Sequence, residues 1–261
     1  MQDRTVPKSI SAVVAELEAM QKRLVDREEI AKAAGIRPGS RQAQKLVERL
    51  REHGWIRALP VRGRYEFLPA ESGAYPSGDR WIELRAVLHR DPNFQIQVVL
   101  QSAAFLRGLA DRFPVPDQVA VGRKTVSRGL ESVYKVIRTK PERVGDATIE
   151  DGIPVSTVER LPLEVVWWWP ESGDLRNPDH WVGHALRKSD PKRLTELVTK
   201  EGPTMVARCG YLAERFGVLE ITERLQGLHR RGPTWIGTRS KPSRFSSRWE
   251  VYDSIGVALG R

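Results

Sequence analysis

The sequence predicts a mixed α/β fold in two parts: an N-terminal winged helix-turn-helix and a larger mixed α/β domain around one central sheet. Three observations predict it. Two short helical patterns and a basic hairpin occupy the first part of the chain. A Pro/Gly/Ser-rich stretch follows them. Beyond it, β-prone runs and helical patterns mix without the strict alternation of a doubly wound sheet.

The elements follow in order. Ile10, Val13, Val14, Leu17 and Leu24 give residues 9–25 the apolar spacing of a helix packed within its own domain. Asp26 caps a second helix, Glu29 completes a capping pair three residues later, and Gly35 ends it. Pro38-Gly39-Ser40 breaks the chain before a third helix over 41–53, whose apolar face is Ala43, Leu46, Val47 and Leu50. Residues 55–68 read as two strands around the tip Arg62-Gly63-Arg64. Residues 1–70 therefore form the first domain, 71–79 a linker, and 80–261 the second domain. In the latter, helices are expected over 81–89 and 99–110, and β-prone runs over 118–122, 134–139 and 147–155. Ser156-Thr157-Val158-Glu159 has the pattern of a capping box opening a helix through Leu161, Val165 and Val166. Helices at 179–188, 191–200, 203–216 and 219–228 precede β-prone runs at 234–238 and 248–252.

Composition narrows the function. The chain has 261 residues, one cysteine and a formal net charge of +10. A lone Cys209 rules out an internal disulfide and a cysteine-based zinc site. No apolar run reaches membrane-spanning length and no apolar segment follows the first charges, so the expectation is a cytoplasmic protein. The positive charge suits a polyanionic partner.

That charge collects where a DNA-reading surface would lie. Residues 1–70 hold fourteen Lys/Arg against nine Asp/Glu. The candidate DNA-binding residues are Arg37, Ser40, Arg41, Gln44, Lys45, Arg57, Arg62 and Arg64. With the 41–53 helix in the major groove, Arg41 suits a bidentate guanine contact and Gln44 adenine. The Arg62/Arg64 tip would reach backbone or minor groove, and Arg4 with Lys8 would form a short arm. A protein-docking module with a solvated basic face is the competing reading.

Two further basic regions lie in the second domain. Arg123, Lys124 and Arg128 flank strand-like sequence, and Arg230, Arg231, Arg239, Lys241 and Arg244 fall in a stretch from Arg224 to Trp249 that has no acidic residue. Both are possible additional nucleic-acid contacts. Trp235, Phe245 and Trp249 interleave the second stretch, and the bland reading, preferred here, puts those aromatics in the core of a terminal hairpin.

Enzyme signatures are weak. His180 and His184 have metal-pair spacing, but Trp181 stands where a metalloprotease helix needs glutamate and no third ligand is evident. Residues 121–125 lack the upstream glycine and the adjacent Gly-Lys pair of a phosphate loop, Gly39-Ser40 is followed by no Asp-x-Asp, and no Glu-x-Lys of a nuclease core appears outside predicted helices or loops. Trp167–Trp169, being adjacent, do not share a helix face and read as packing anchors. The expectation is a non-enzyme with no catalytic residues, metal or cofactor.

Several segments, in order, resemble the antitoxins of AbiE-type (type IV) toxin–antitoxin systems. They are Gly63–Leu68, Gln101–Leu109, Val155–Arg160 and Cys209–Gly217. Residues 163–170 depart from the pattern with Leu-Glu-Val-Val-Trp-Trp-Trp-Pro. The resemblance implies an autorepressor whose winged helix binds inverted repeats of double-stranded operator DNA in its own promoter. It also implies a second domain opposing a nucleotidyltransferase-like toxin without requiring a stable complex. Two other readings remain open: a plain transcription regulator with a ligand-sensing second domain, and a nucleic-acid-modifying enzyme targeted by the winged helix.

Overall fold

Contacts divide the chain into two units, residues 1–94 with 125–133, and residues 95–124 with 134–261. The structure, a computed structural model, describes residues 7–72, 76–122, 128–239, 241 and 243–257.

In the first unit, α1 (Lys8–Ala19) leads to β1 (Leu24–Asp26), α2 (Arg27–Ala33), α3 (Arg41–Glu52), β2 (Ile56–Ala58), β3 (Arg64–Phe67) and α4 (Ile82–Arg90). The three strands form an antiparallel sheet in the order β1-β3-β2. Ile10, Leu17, Ile30, Leu50, Trp55 and Phe67 make its dry centre. The expected helix over 9–25 stops at Ala19. The chain turns at Gln21, and Leu24–Asp26 joins the edge of the hairpin, with Leu24 opposite Glu66 and Asp26 opposite Arg64. Pairing three backbone residues and burying Val25 outweighs two more helical turns with little to pack against. Lys8 is the first residue of α1 rather than part of an arm, and Arg4 lies outside the described residues.

The second unit starts with β4 (Ile96–Val98), α5 (Leu100–Leu106) and β5 (Gln118–Val121). One helical turn, α6 (Arg128–Glu131), belongs to the first unit. Then come β6 (Lys135–Arg138), β7 (Ala147–Glu150), β8 (Ile153–Ser156) and α7 (Leu161–Trp167). A five-stranded sheet runs β6-β5-β4-β8-β7, with β4/β8 and β5/β6 parallel and β4/β5 and β7/β8 antiparallel. The expected run over 147–155 is thus two strands, turned at Asp151 and Gly152, both at positive φ. The helices α8 (Trp181–Lys188), α9 (Pro191–Lys200), α10 (Pro203–Arg215) and α11 (Leu219–Gln226) follow, and α10 packs on α7, α9 and α11. A second, small sheet closes the unit: β9 (Thr234–Ile236), β10 (Arg244–Ser246) and β11 (Val251–Asp253), in the order β10-β11-β9. The mixed α/β class holds.

The resemblance segment Val155–Arg160 packs around one buried carboxylate, that of Glu164. Ser156 does not cap a helix; its hydroxyl donates to Glu164 Oε1 at 2.5 Å and accepts from Gln97 Nε2 at 2.7 Å. Glu164, fully buried, also accepts from Arg160 Nε at 3.2 Å and from the Leu100 N–H at 2.7 Å. Satisfying a buried charge outweighs the local capping pattern. The Leu100 bond helps hold that residue at φ +50°, where β-carbons are unwelcome. Arg107, from the 101–109 segment, donates to the Ser156 and Val155 carbonyls, fastening α5 to β8.

Candidate nucleic-acid interface

The capping pair expected at Asp26 forms in full. Its Oδ1 accepts from the N–H groups of Glu28 and Glu29 at 2.9 Å, and Glu29 Oε2 accepts from the Asp26 N–H at 2.9 Å. α2 therefore begins rigidly at the end of β1. Gly39 sits at φ +75°, a value glycine tolerates freely, and turns the chain so that Ser40 precedes α3. Ser40 Oγ accepts from the Ala43 N–H at 3.1 Å, as an N-cap should.

α3 sorts its residues cleanly. Ala43, Leu46, Val47 and Leu50 are buried, while Arg41, Gln44 and Lys45 are exposed in its first turns. Arg37 is exposed in the preceding turn, and Arg62 is exposed in the loop between β2 and β3. None of these five side chains has a hydrogen-bond or ion-pair partner among the described residues. No acidic residue stands in the first turn of α3, whose free N–H groups favour an anion.

Arg57 and Arg64 have different fates from the rest of the predicted set. Arg57 Nε donates to Glu66 Oε2 at 2.7 Å, and its Nη2 lies 3.4 Å from Glu83 Oε1. Glu66 is wholly buried, so this pair holds the sheet together. Arg64 Nη1 donates to Asp26 Oδ2 at 2.9 Å, tying β3 to the cap of α2. Sequence reasoning treated all cations near the hairpin alike because the acids that claim these two lie far along the chain or on an adjoining strand.

The second-unit cations also divide. Arg123, Lys124 and the side chain of Arg128 lie outside the described residues. Arg230, Arg231, Lys241 and Arg244 are exposed. Arg239 covers the Trp235 ring at 4.5 Å. Among the aromatics, Trp249 is fully buried, as expected of a core residue, and its Nε1–H donates to Glu214 Oε2 at 2.6 Å. Phe245 is 48 % exposed, contrary to the core placement expected. Sequence reasoning passed over Tyr252, which stands between Trp235 and Phe245. The alternation Val251-Tyr252-Asp253 was the available signal, since it puts the ring opposite its two buried neighbours.

The histidine pair is committed to the backbone. His180 Nε2–H donates to the Ser172 carbonyl at 2.7 Å and its Nδ1 accepts from the Val182 N–H at 3.2 Å, so the ring caps α8. Burial pushes the pKa of His180 down, which keeps it neutral. His184 Nδ1 lies 3.1 Å from the Leu109 carbonyl. Among the described residues no cluster of three or more His, Cys, Asp or Glu could hold a metal, and no helix is long and apolar enough to cross a membrane.

The Cys209–Gly217 segment also has a clear structural meaning. Cys209 is buried, Tyr211 Oη donates to Asp253 Oδ2 at 2.8 Å, and Gly210 lets the Trp249 ring lie against α10. Residues 96–215, from β4 to the end of α10, match the AbiEi antitoxin C-terminal domain. The crystal structure of the RV2827C protein from Mycobacterium tuberculosis is similar in fold, with a TM-score of 0.78 and 22 % identity. That likeness covers 97 % of this chain and 94 % of that one. A search of curated proteins returns no match.

Proposed function

We propose that the chain is a DNA-binding autorepressor and antitoxin, with a winged helix in its first unit reading the operator and its second unit opposing a nucleotidyltransferase-like toxin. The observation that carries the DNA half is the exposed polar surface at the N-terminal end of α3. Arg41, Gln44 and Lys45 stand exposed at its N-terminal end, with Arg37 and Arg62 exposed on the flanking loops. The helix–strand–helix–helix–strand–strand order and the β1-β3-β2 sheet support the winged-helix reading.

In this mechanism α3 enters the major groove. Arg41 donates to a guanine edge, Gln44 pairs with adenine, and Arg37, Lys45 and Arg62 meet phosphates. Ser40 stays engaged as the cap and positions the helix. Arg57 and Arg64 brace the sheet that carries the hairpin loop. The antitoxin half rests on the match of residues 96–215 to the AbiEi antitoxin C-terminal domain.

A mobility-shift titration of the full chain on its own upstream DNA, with scrambled duplex as control, tests this. Arg41→Ala/Gln44→Ala should lose about 1–3 kcal/mol of discrimination per bidentate contact and fall to the scrambled-DNA affinity. Arg62→Ala should weaken both duplexes alike and flatten the salt dependence by about one phosphate. Equal binding of all duplexes by wild type and both variants overturns the operator reading. In co-expression with the adjacent toxin, the Arg41→Ala/Gln44→Ala chain should still protect; loss of protection by it, or none from wild type, overturns the division of labour.

A further inference from the structure

Across the outer face of the small C-terminal sheet runs a row of aromatic rings. Tyr252, on the central strand β11, is paired in register with Trp235 of β9 and Phe245 of β10. Trp235 and Tyr252 are stacked, with centroids 4.8 Å apart and planes 16° from parallel. Phe245 lies 4.7 Å from Tyr252 on the other side. The Arg239 guanidinium closes the Trp235 end. The sheet does not need these rings for its core: Ile236, Val251, Asp253 and Trp249 are buried on the side that α10 packs against. Cross-strand aromatic pairing alone explains contact between the rings, but not a large apolar ring left half bare at the sheet edge.

The exposed charges of the strands and loops that carry the row are cationic among the described residues. Arg230 and Arg231 precede β9, Lys241 lies in the loop after it, and Arg244 adjoins Phe245; all are exposed. The two acids of this segment are engaged elsewhere. Asp253 is buried and accepts from Tyr211 and from the Ile255, Gly256 and Val257 N–H groups, while Glu250 accepts from the Gly232 N–H. The loop also contributes Thr238 and Lys241 to a cleft shared with Trp169, Asp174, Arg176 and Ile255, in which the Asp174 carboxylate is paired with Arg176.

We propose that this face docks single-stranded RNA. Bases would extend the ring stack beyond Phe245 and over the free face of the Arg239 guanidinium, and the surrounding cations would follow the phosphates. Duplex DNA keeps its base faces inside the stack and cannot use such a row. Unpaired, splayed bases are the usual state of RNA loops and ends, which favours RNA as the occupant. The strands β9, β10 and β11 follow residue 215, so the ring row is built from residues outside the antitoxin domain match and outside α3.

Fluorescence anisotropy of the full chain with a labelled single-stranded RNA of about 10 nucleotides tests it, at about 50 and 200 mM salt. Phe245→Ala should raise Kd about 5- to 100-fold while Phe245→Trp retains binding, because stacking tolerates any ring. Arg230→Glu/Arg231→Glu, on exposed coil, should weaken binding and flatten its salt slope, which keeps the test valid if the ring variant unfolds the sheet. Promoter binding by Phe245→Ala and RNA binding by Arg41→Ala/Gln44→Ala should both match wild type. RNA affinity that ignores the Phe245 and the Arg230/Arg231 changes, or that is no better than for single-stranded DNA or duplex of the same sequence, overturns the proposal. The operator reading is untouched by that failure.

Discussion

Replacing Arg57 with alanine separates a structural cation from a DNA contact. Glu66 is fully buried, and its Oε2 receives the Arg57 Nε–H at 2.7 Å. Removing one member of a buried ion pair leaves an uncompensated charge, at a cost of about 3–5 kcal/mol when burial is complete. Here the Arg57 side chain is 38 % exposed, and Glu66 Oε1 still accepts from the Ser77 N–H at 2.7 Å. Those two facts put the loss at the lower end, roughly 2–3 kcal/mol. For a domain of this size that lowers Tm by about 10–20 °C. Thermal unfolding of the full chain, with hydrogen exchange at β2 and β3 reporting the first unit, measures it. Arg62→Ala is the control, since that exposed side chain has no partner among the described residues and should shift stability by less than about 0.5 kcal/mol. Adding Glu66→Gln to Arg57→Ala should recover much of the loss, because no buried charge then remains. If Arg57→Ala melts with wild type and only weakens DNA binding, the bracing role is wrong and Arg57 belongs to the interface.

Two further outcomes follow from the second unit. In Gly210→Ala the new Cβ would lie 2.2 Å from the Trp249 ring, which has nowhere to go because it is fully buried. Overpacking outweighs the gain in helix propensity, and urea unfolding should show a net loss of about 1–2 kcal/mol; a stabilised variant would refute the close packing of α10 on that ring. Burial raises the pKa of Glu164 from 4.5 to about 7, against the opposing pull of Arg160. A raised acid contributes stability that is fully present below its unfolded pKa and is lost as pH rises through the folded one. The wild-type advantage over Glu164→Gln should therefore shrink by roughly 3 kcal/mol between about pH 4.5 and pH 7, at about 1.36 kcal/mol per pH unit. Parallel stability curves for the two proteins would show that Glu164 does not titrate in that window.

The sequence by itself determined what depends on neighbours three or four residues apart. The capping pair at Asp26, the Ser40 cap, the buried and exposed faces of α3 and most helices of the second unit are legible there, because their decisive contacts lie within one helical turn. The order of short segments was likewise enough for the family resemblance. Only the tertiary structure decided which charges remain available. Arg57, Arg64 and Arg41 look alike in sequence, and acids from distant positions claim the first two while leaving the third in solvent. The same distance effect pulled Leu24–Asp26 into a strand and turned Ser156 from an apparent cap toward Glu164. It also set Phe245 and Trp249, four residues apart, on opposite sides of the small sheet, one half exposed and one sealed. Local patterns compete on about 1 kcal/mol, and a buried charge or a strand edge in need of pairing overrides them by several.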